Sequence, residues 1–222
     1  GLSQNTVNIR TIITWTVGYL FVCGLVPVII DKIIPRFAKS GIYAWLNLIF
    51  LIVLNYLYIF LLVTKYGLNI NLFGNISLIG ILLAVGCSVL FYLMIDKFLD
   101  PFFDRIFTAS AKTYRNAVEQ LGQFPVINFI RVCILAPAVE EIFIRGCILE
   151  SLQKNYSAII ALLISSLLFA LLHFNFVQTM SALISGLILG ILYIYTGSLF
   201  SCILAHAMYN AFSYFSIILS KK

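Results

Sequence analysis

Long uncharged apolar segments alternate with short polar ones along most of this sequence. A helix needs about 20 apolar residues to cross the hydrocarbon core of a bilayer, and three segments in the first half reach that length. They comprise residues 11–30, 41–64 and 76–95. We expect each to form a transmembrane helix. The first is too long for the core of a typical signal peptide and no small-residue cleavage site follows it, so we expect it to be retained.

Four more apolar segments follow in the second half. The first of them, residues 125–149, contains four charged side chains, and no Lys, Arg, Asp or Glu occurs from residue 155 to residue 220. That uncharged stretch has room for three spans, with breaks expected at Asn175 and at Thr196-Gly197. The expected spans are residues 157–174, 177–195 and 198–219. The pattern predicts an all-α, polytopic transmembrane helical bundle of about seven spans.

One long polar segment, residues 96–124, separates the two halves. Asp100-Pro101 is a typical helix start, because Asp caps a helix and Pro fits its first position. From there apolar residues recur at helical spacing and charged residues occupy the opposite side. This amphipathic helix suits the membrane interface. A helix packed on the ends of the other spans fits the pattern equally well.

Composition agrees with a membrane protein, since 62% of the residues are hydrophobic and 10% are charged. Ordinary soluble domains have about 25% charged residues. The net charge is +6, but the basic residues lie mostly at segment ends and in loops, where they meet anionic head groups. We therefore expect the lipid bilayer, and no nucleic acid, as a partner. With the N-terminus outside, nine Lys and Arg residues, Lys221 and Lys222 among them, lie inside against three outside, which favours a cytoplasmic C-terminus.

Charged side chains within an apolar span indicate a functional site, because each costs roughly 2.5–3.5 kcal/mol to insert. The segment 125–149 contains Arg131, Glu140, Glu141 and Arg145. Glu141 and Arg145 are four residues apart, so on a helix they face and neutralise each other. Glu140 points about 100° away and is free to act as a base. The alternative is a structural network that only fixes helix packing.

The two histidines of the chain also lie in apolar spans. His173 follows Phe169 by one helical turn, and His206 precedes Asn210 by one turn. A single His on an apolar helix more often makes a helix–helix hydrogen bond. Two histidines, an Asn and the unpaired Glu140 on three separate spans instead provide a base, a proton carrier and hydrogen-bond donors. Hydrolysis needs these groups.

Three motifs resemble those of a known family. The run E-E-I-F-I-R that begins at Glu140 resembles the E-E-x-x-x-R signature of the CAAX-protease and bacteriocin-processing family, also called the Abi family. That family includes the type II CAAX prenyl endopeptidases. The F-x-x-x-H that ends at His173 resembles its second motif, and the H-x-x-x-N that begins at His206 resembles its third. The resemblance covers about residues 125–212.

The resemblance implies an intramembrane endopeptidase. Glu140 and His173 would activate water, and His206 and Asn210 would stabilise the oxyanion. The residues that would organise the site are Glu141, Arg145 and Phe169. We accordingly divide the chain into residues 1–124, with the N-terminal transmembrane helices and the amphipathic connecting helix, and residues 125–222, the catalytic transmembrane core.

The mechanism of this family is described in two ways. One is a metal-free glutamate peptidase that requires no cofactor. The other is a metalloenzyme in which Glu140, His173 and His206 bind a divalent ion such as zinc, and two His with one Glu are an acceptable zinc ligand set. No H-E-x-x-H occurs in the chain, and Asn210 beside His206 makes a natural donor pair for an oxyanion. These two points favour the metal-free mechanism.

The leading functional hypothesis is hydrolysis of a peptide bond in a membrane-associated or hydrophobic peptide. Bacterial members of the family are linked to bacteriocin maturation, self-immunity and peptide signalling. The chain is rich in Ile, Asn, Phe and Tyr, as is typical of AT-rich bacterial genomes. A precursor peptide at the bacterial cytoplasmic membrane is therefore favoured over a prenylated CAAX substrate. The alternatives are a non-enzymatic immunity or scaffold protein, and an ion- or proton-coupled transporter, although no broken-helix repeat is present.

Overall fold

A computed structural model describes residues 7–173 and 175–220 of the chain as a bundle of helices. Within these residues there are eight main helices and no β-strand. They are α1 (Ile9–Ile33), α2 (Gly41–Tyr66), α3 (Leu78–Ile106), α4 (Thr108–Glu119), α5 (residues 125–153), α6 (Ala158–Leu171), α7 (Phe176–Thr196) and α8 (Leu199–Ser220). The predicted all-α transmembrane bundle is confirmed. Phe174, Lys221 and Lys222, which entered the predictions above, lie outside the described residues.

Five of the described helices are long and apolar enough to cross a membrane, namely α1, α2, α3, α7 and α8. Helix α5 is also long, but it carries the charged residues. Helix α6 has 14 residues, which rise about 21 Å, short of the roughly 30 Å of a hydrocarbon core. Five of the seven expected spans thus coincide with helices that meet these criteria. The other two correspond to the charged helix α5 and to the short apolar helix α6.

Side-chain caps explain where several helices begin. A Ser or Asn oxygen accepts a hydrogen bond from a backbone N–H of the first turn, which is otherwise unpaired. The capping residues are Asn8, Ser40, Ser77, Ser157 and Asn175. Gly67 and Gly197 follow α2 and α7 with φ of +62°, the left-handed conformation that favours glycine at a helix end. The breaks predicted at Asn175 and Thr196-Gly197 are thus confirmed.

Three helices widen into π-helical turns shortly before a proline. A proline has no N–H to donate, and its ring clashes with the carbonyl group four residues earlier. A wider turn moves that carbonyl group away, so the helix continues past the proline. The widened segments are Leu20–Leu25 before Pro27, Tyr92–Leu99 before Pro101 and Ile130–Leu135 before Pro137.

This widening corrects one prediction. Asp100-Pro101 does not begin a helix, because α3 passes through both residues and ends at Ile106. The Asp100 carboxylate accepts a hydrogen bond from the Ser181 hydroxyl of α7 and caps no helix. The amphipathic helix, α4, instead begins at Thr108. It packs on the start of α7, where the Asn175 amide donates to the Ser110 carbonyl oxygen over 2.7 Å.

Helix α5 lies at the centre of the bundle. Phe143, Ile144, Ile148 and Leu149 have no exposed surface and pack with residues of α1, α2, α6 and α7. Helix α7 packs on α6, and α8 packs on α3 and α5. A helix covered by protein instead of lipid can hold charged side chains, because partners on neighbouring helices replace the lost water. This placement brings the charged segment of α5 against α7 and α8.

Candidate active site

A cavity of about 430 Å³ lies among α3, α4, α5, the end of α6, α7 and α8. Its lining includes all four residues that the resemblance assigns to catalysis, Glu140, His173, His206 and Asn210. Phe169 lines it as well. These side chains come from distant parts of the sequence, and the bundle brings them to one chamber. We call it the reaction cavity.

Glu141 and Arg145 lie behind the wall of this cavity, on α5. Their side chains are 0% and 1% exposed, and Nη1 of Arg145 lies 3.2 Å from Oε1 and 3.1 Å from Oε2 of Glu141. Nη2 of Arg145 donates to the Gly186 carbonyl oxygen on α7 over 2.8 Å. The pair expected from the spacing of four residues is therefore present. It also ties α5 to α7.

Gly186 allows this close approach of the helices. A Cβ atom built there would lie 2.8 Å from Cδ1 of Phe169 and 3.4 Å from the Ser166 carbonyl oxygen. Real Cβ contacts are almost never that short, so any other residue would displace the Phe169 ring. Glycine at this position keeps the carbonyl group of residue 186 within reach of Arg145.

His206 makes a contact that the sequence did not predict. Its Nδ1 lies 2.8 Å from Oε1 of Glu141, and its Nε2 lies 3.7 Å from Oε2 of Glu140. A carboxylate only accepts hydrogen bonds, so Nδ1 carries the hydrogen and donates it to Glu141. The ring consequently turns Nε2 towards Glu140. Glu140, His206, Glu141 and Arg145 form one continuous chain of polar contacts.

The two adjacent glutamates have different surroundings. The Glu140 side chain is 22% exposed and faces the reaction cavity, whereas Glu141 is fully buried. Successive residues of a helix point about 100° apart, which places one carboxylate in the cavity and the other within the protein. Glu140 is thus the carboxylate of this pair that a water molecule or a substrate in the cavity can reach.

Phe169 contacts both histidines. Its ring makes edge-on contacts with the His173 ring at 5.3 Å and with the His206 ring at 5.7 Å between centroids. The Arg145 guanidinium lies 4.7 Å from the centroid of the same ring. Both histidine rings thus pack against one aromatic group, and a cation lies against the same group.

His173 lies just beyond a helix, not on one as its spacing from Phe169 suggested. Helix α6 ends at Leu171, and the His173 N–H closes a turn onto the Ala170 carbonyl oxygen. Nδ1 of His173 lies 3.1 Å from the Phe169 carbonyl oxygen. A carbonyl oxygen only accepts, so Nδ1 carries the hydrogen, and in the neutral ring Nε2 holds a free lone pair. His173 can therefore act as a base through Nε2.

Asn210 reaches across to α5. Its Nδ2 donates to the Val132 carbonyl oxygen over 2.9 Å, within the widened segment Ile130–Leu135. An amide nitrogen has two hydrogens, so one remains for a group in the cavity. The side chain thus serves helix packing with one hydrogen and leaves the other for chemistry.

Other polar residues in or beside the cavity wall were not identified from the sequence. Asp96 accepts hydrogen bonds from the hydroxyl groups of Tyr209 and Ser213, which joins α3 to α8. Asp100 and Tyr114 line the cavity nearby. Burial, and then the carboxylates of Asp100 and Asp96, raise the pKa of Tyr114 to about 12, so its hydroxyl stays protonated at neutral pH. The only sequence signal was the spacing of Asp96 and Asp100 by one helical turn.

The three residues considered as metal ligands do not form a ligand group in this arrangement. Among residues 7–173 and 175–220, no three His, Cys, Asp or Glu side chains are placed to hold one metal ion. Glu140 and His206 are neighbours. His173 does not join them in such a group, although its ring contacts the same Phe169 ring as that of His206.

Comparison with known families agrees with the motifs. Residues 122–212 match the family described as type II CAAX prenyl endopeptidase Rce1-like. The matched range contains all three motifs, which confirms the resemblance, although it covers less than half of the chain. No match was found among curated proteins or among solved structures. At the level of the family, the match supports an intramembrane peptidase of the CAAX type, and with the long apolar helices it supports an integral, multi-pass membrane protein.

Proposed function

We propose that this protein is an intramembrane endopeptidase that hydrolyses a peptide bond in a membrane-associated or hydrophobic peptide. One observation carries the proposal. Glu140, His173, His206 and Asn210 come from three separate motifs, and all of them line one cavity within the region that matches the peptidase family. A purely structural network would not need an exposed carboxylate and two ring nitrogens in a shared chamber.

Glu140 and His173 activate the water in this mechanism. The Glu140 carboxylate is accessible in the cavity, and Nε2 of His173 is free to accept a proton. As the water oxygen attacks the scissile carbonyl carbon, its proton passes to this pair and later to the leaving amine. General acid–base catalysis of this kind contributes roughly 10²–10⁴ in rate.

His206 and Asn210 stabilise the oxyanion. Glu141 accepts the hydrogen bond from Nδ1–H of His206, which holds the ring with Nε2 towards Glu140 and the cavity. A hydrogen on Nε2 in the transition state lets the ring donate to the oxyanion. The remaining hydrogen of Asn210 provides the second donor to the developing negative oxygen.

We propose the metal-free form of this reaction, without a required cofactor. The placement of Glu140, His173 and His206, which do not form a three-ligand group among the described residues, supports it, as does the presence of two hydrogen-bond donors on α8. For the substrate, we propose a hydrophobic precursor peptide in a bacterial cytoplasmic membrane. Phe91, Ile95 and Leu189 give the cavity an apolar wall that suits such a peptide.

A comparison of cellular peptides tests the function directly. Cells that produce the parent protein and cells that produce Glu140→Gln at equal levels are analysed by mass spectrometry. We expect at least one peptide to appear only with the parent and its precursor to accumulate with the variant. Identical peptide profiles would refute the peptidase, and they would direct attention to immunity, scaffold or transport functions.

A further inference from the structure

Arg131 is the one charged residue of the segment 125–149 that the proposed mechanism does not use. Its Nη2 donates to Oδ1 of Asn128 over 3.0 Å, and no other hydrogen bond of this side chain occurs within residues 7–173 and 175–220. A guanidinium group has five N–H donors, so most of them lack a protein partner there. A charge on an apolar helix is costly to insert, which makes such a donor set a candidate binding group.

Arg131 stands where two cavities adjoin. It lines the reaction cavity, and it also lines a second cavity of about 520 Å³ between α1, α2 and the start of α5. Gln120 is likewise shared by both walls. A group bound to Arg131 would therefore be connected to the chamber that contains Glu140.

The charges around Arg131 favour an anion. The described lining of the second cavity contains three cations, Lys32, Lys39 and Arg131, and one carboxylate, Asp31. Lys39 already neutralises Asp31, because its Nζ lies 2.8 Å from Oδ2 of that residue. The Tyr43 hydroxyl donates to the other oxygen over 2.8 Å. Asp31 also attracts Arg131 electrostatically. One carboxylate against three cations still leaves the described wall with an excess of two positive charges.

The reaction cavity has the opposite character. Its lining contains the carboxylates of Glu140 and Asp100, and Arg131 is the one Lys or Arg among its described lining residues. An anionic group of a bound peptide is repelled by those carboxylates and attracted to the Arg131 side. Guanidinium and carboxylate groups also match in shape, since two parallel N–H donors meet two oxygens.

We propose that Arg131 binds a carboxylate of the peptide substrate at the junction of the two cavities, an inference that rests on the proposed peptidase function. Arg131 and Glu140 lie nine residues apart on α5, a rise of about 13 Å. A carboxylate held at one point and a scissile bond held at the other fix the register of the peptide. Arg131 is thus a residue that selects substrates by the position of a negative charge, which is either the chain end or an acidic side chain.

The test uses the purified full chain in phosphatidylcholine nanodiscs and a mixed set of hydrophobic decapeptides. Each peptide is made in three forms, namely with a free C-terminal carboxylate, with a C-terminal amide, and with an amide plus one internal Asp. We expect the parent to cleave one of the two charged forms at least about ten-fold more efficiently, in kcat/KM, than the neutral form. Whichever charged form is preferred identifies the source of the carboxylate.

Variants then assign the preference to its residue. In Arg131→Gln the ratio of kcat/KM between the charged and the neutral form should fall close to one, whereas Arg131→Lys should keep part of it. Arg105→Gln removes an exposed arginine that lines neither cavity, and it should keep the parental ratio. Equal cleavage of all three forms by the parent, or a preference that persists in Arg131→Gln, would overturn the proposal.

A binding measurement separates this proposal from the peptidase itself. In the Glu140→Gln variant, the preferred charged peptide at ten times its Kd should raise the unfolding temperature by about 3 °C, and adding Arg131→Gln should abolish that rise. This result would support the carboxylate site even if no Glu140-dependent cleavage were found. The absence of cleavage would refute only the peptidase function. The opposite outcome is an Arg131-dependent rise of the unfolding temperature with phosphatidylglycerol in the nanodisc and no rise with the peptides. That outcome would overturn the peptide-carboxylate site in favour of a site for a lipid phosphate.

Discussion

Glu140 and Glu141 are adjacent in the sequence, and the structure predicts that neutralising them has different consequences. Glu141→Gln removes the carboxylate that Arg145 and His206 both contact, at 3.1 Å and 2.8 Å. The guanidinium remains fully buried without its counter-charge. Glu140→Gln removes a partly exposed carboxylate that lies 3.7 Å from Nε2 of His206. Both changes should abolish turnover, but only the first should destabilise the fold.

The expected magnitude follows from the contacts that remain. Removing one partner of a buried ion pair costs about 3–5 kcal/mol. Arg145 keeps its hydrogen bond to the Gly186 carbonyl oxygen and its contact with the Phe169 ring, so we expect the lower end, about 3 kcal/mol. In a chain of this size that lowers the unfolding temperature by about 6–12 °C. Glu140→Gln should shift it by less than about 2 °C.

Thermal unfolding of purified protein in one detergent, with cleavage measured on the same samples, checks this prediction. A third variant, Glu141→Gln with Arg145→Gln, removes both charges and should lose less stability than the two single changes added together, by at least about 1 kcal/mol. Equal unfolding temperatures for Glu140→Gln and Glu141→Gln would refute the assignment of one glutamate to chemistry and the other to the buried network. A strictly additive double variant would refute the coupling between Glu141 and Arg145.

Three further predictions concern the site. Asn210→Ala should lower kcat by a factor of about 10²–10³ with little change in KM. The lost hydrogen bond to the Val132 carbonyl oxygen should lower the free energy of unfolding by only about 0.6 kcal/mol. A kcat near the parent value would make Asn210 a packing residue. Gly186→Ala should displace the Phe169 ring and reduce kcat/KM. The control Gly86→Ala should leave kcat/KM unchanged, because a Cβ at residue 86 meets no atom within 4 Å, and equal activities of the two variants would contradict the packing argument. Exhaustive chelation should leave cleavage by the purified protein unchanged, and activity that is lost and then restored by zinc would instead establish a metalloenzyme.

The helices and their limits were largely predictable, because the physical causes are local. Apolar runs of about 20 residues specify spans, and the break after α7 at Gly197 depends on one backbone conformation. The contact between Glu141 and Arg145 was predictable for the same reason, since helix geometry alone places residues four apart on one face. The three motifs likewise lie within single segments of the chain.

Two local predictions failed where the structure of a neighbouring segment decides the outcome. Pro101 does not begin a helix, because the widened turns before it let α3 continue. His173 is not on a helix, because α6 ends at Leu171 before it and Asn175, two residues after His173, caps the next helix. Propensities describe how a residue starts or ends an isolated helix, whereas these outcomes depend on backbone hydrogen bonds several residues away.

The contacts between helices depended on the tertiary structure. Glu141 and His206 are 65 residues apart, and nothing in their local sequence indicates that a carboxylate behind the cavity wall would bind the imidazole in front of it. The position of Arg131 between two cavities is of the same kind. Sequence periodicity determines which face of a helix a side chain occupies, but the neighbour opposite that face is set by how the whole bundle packs.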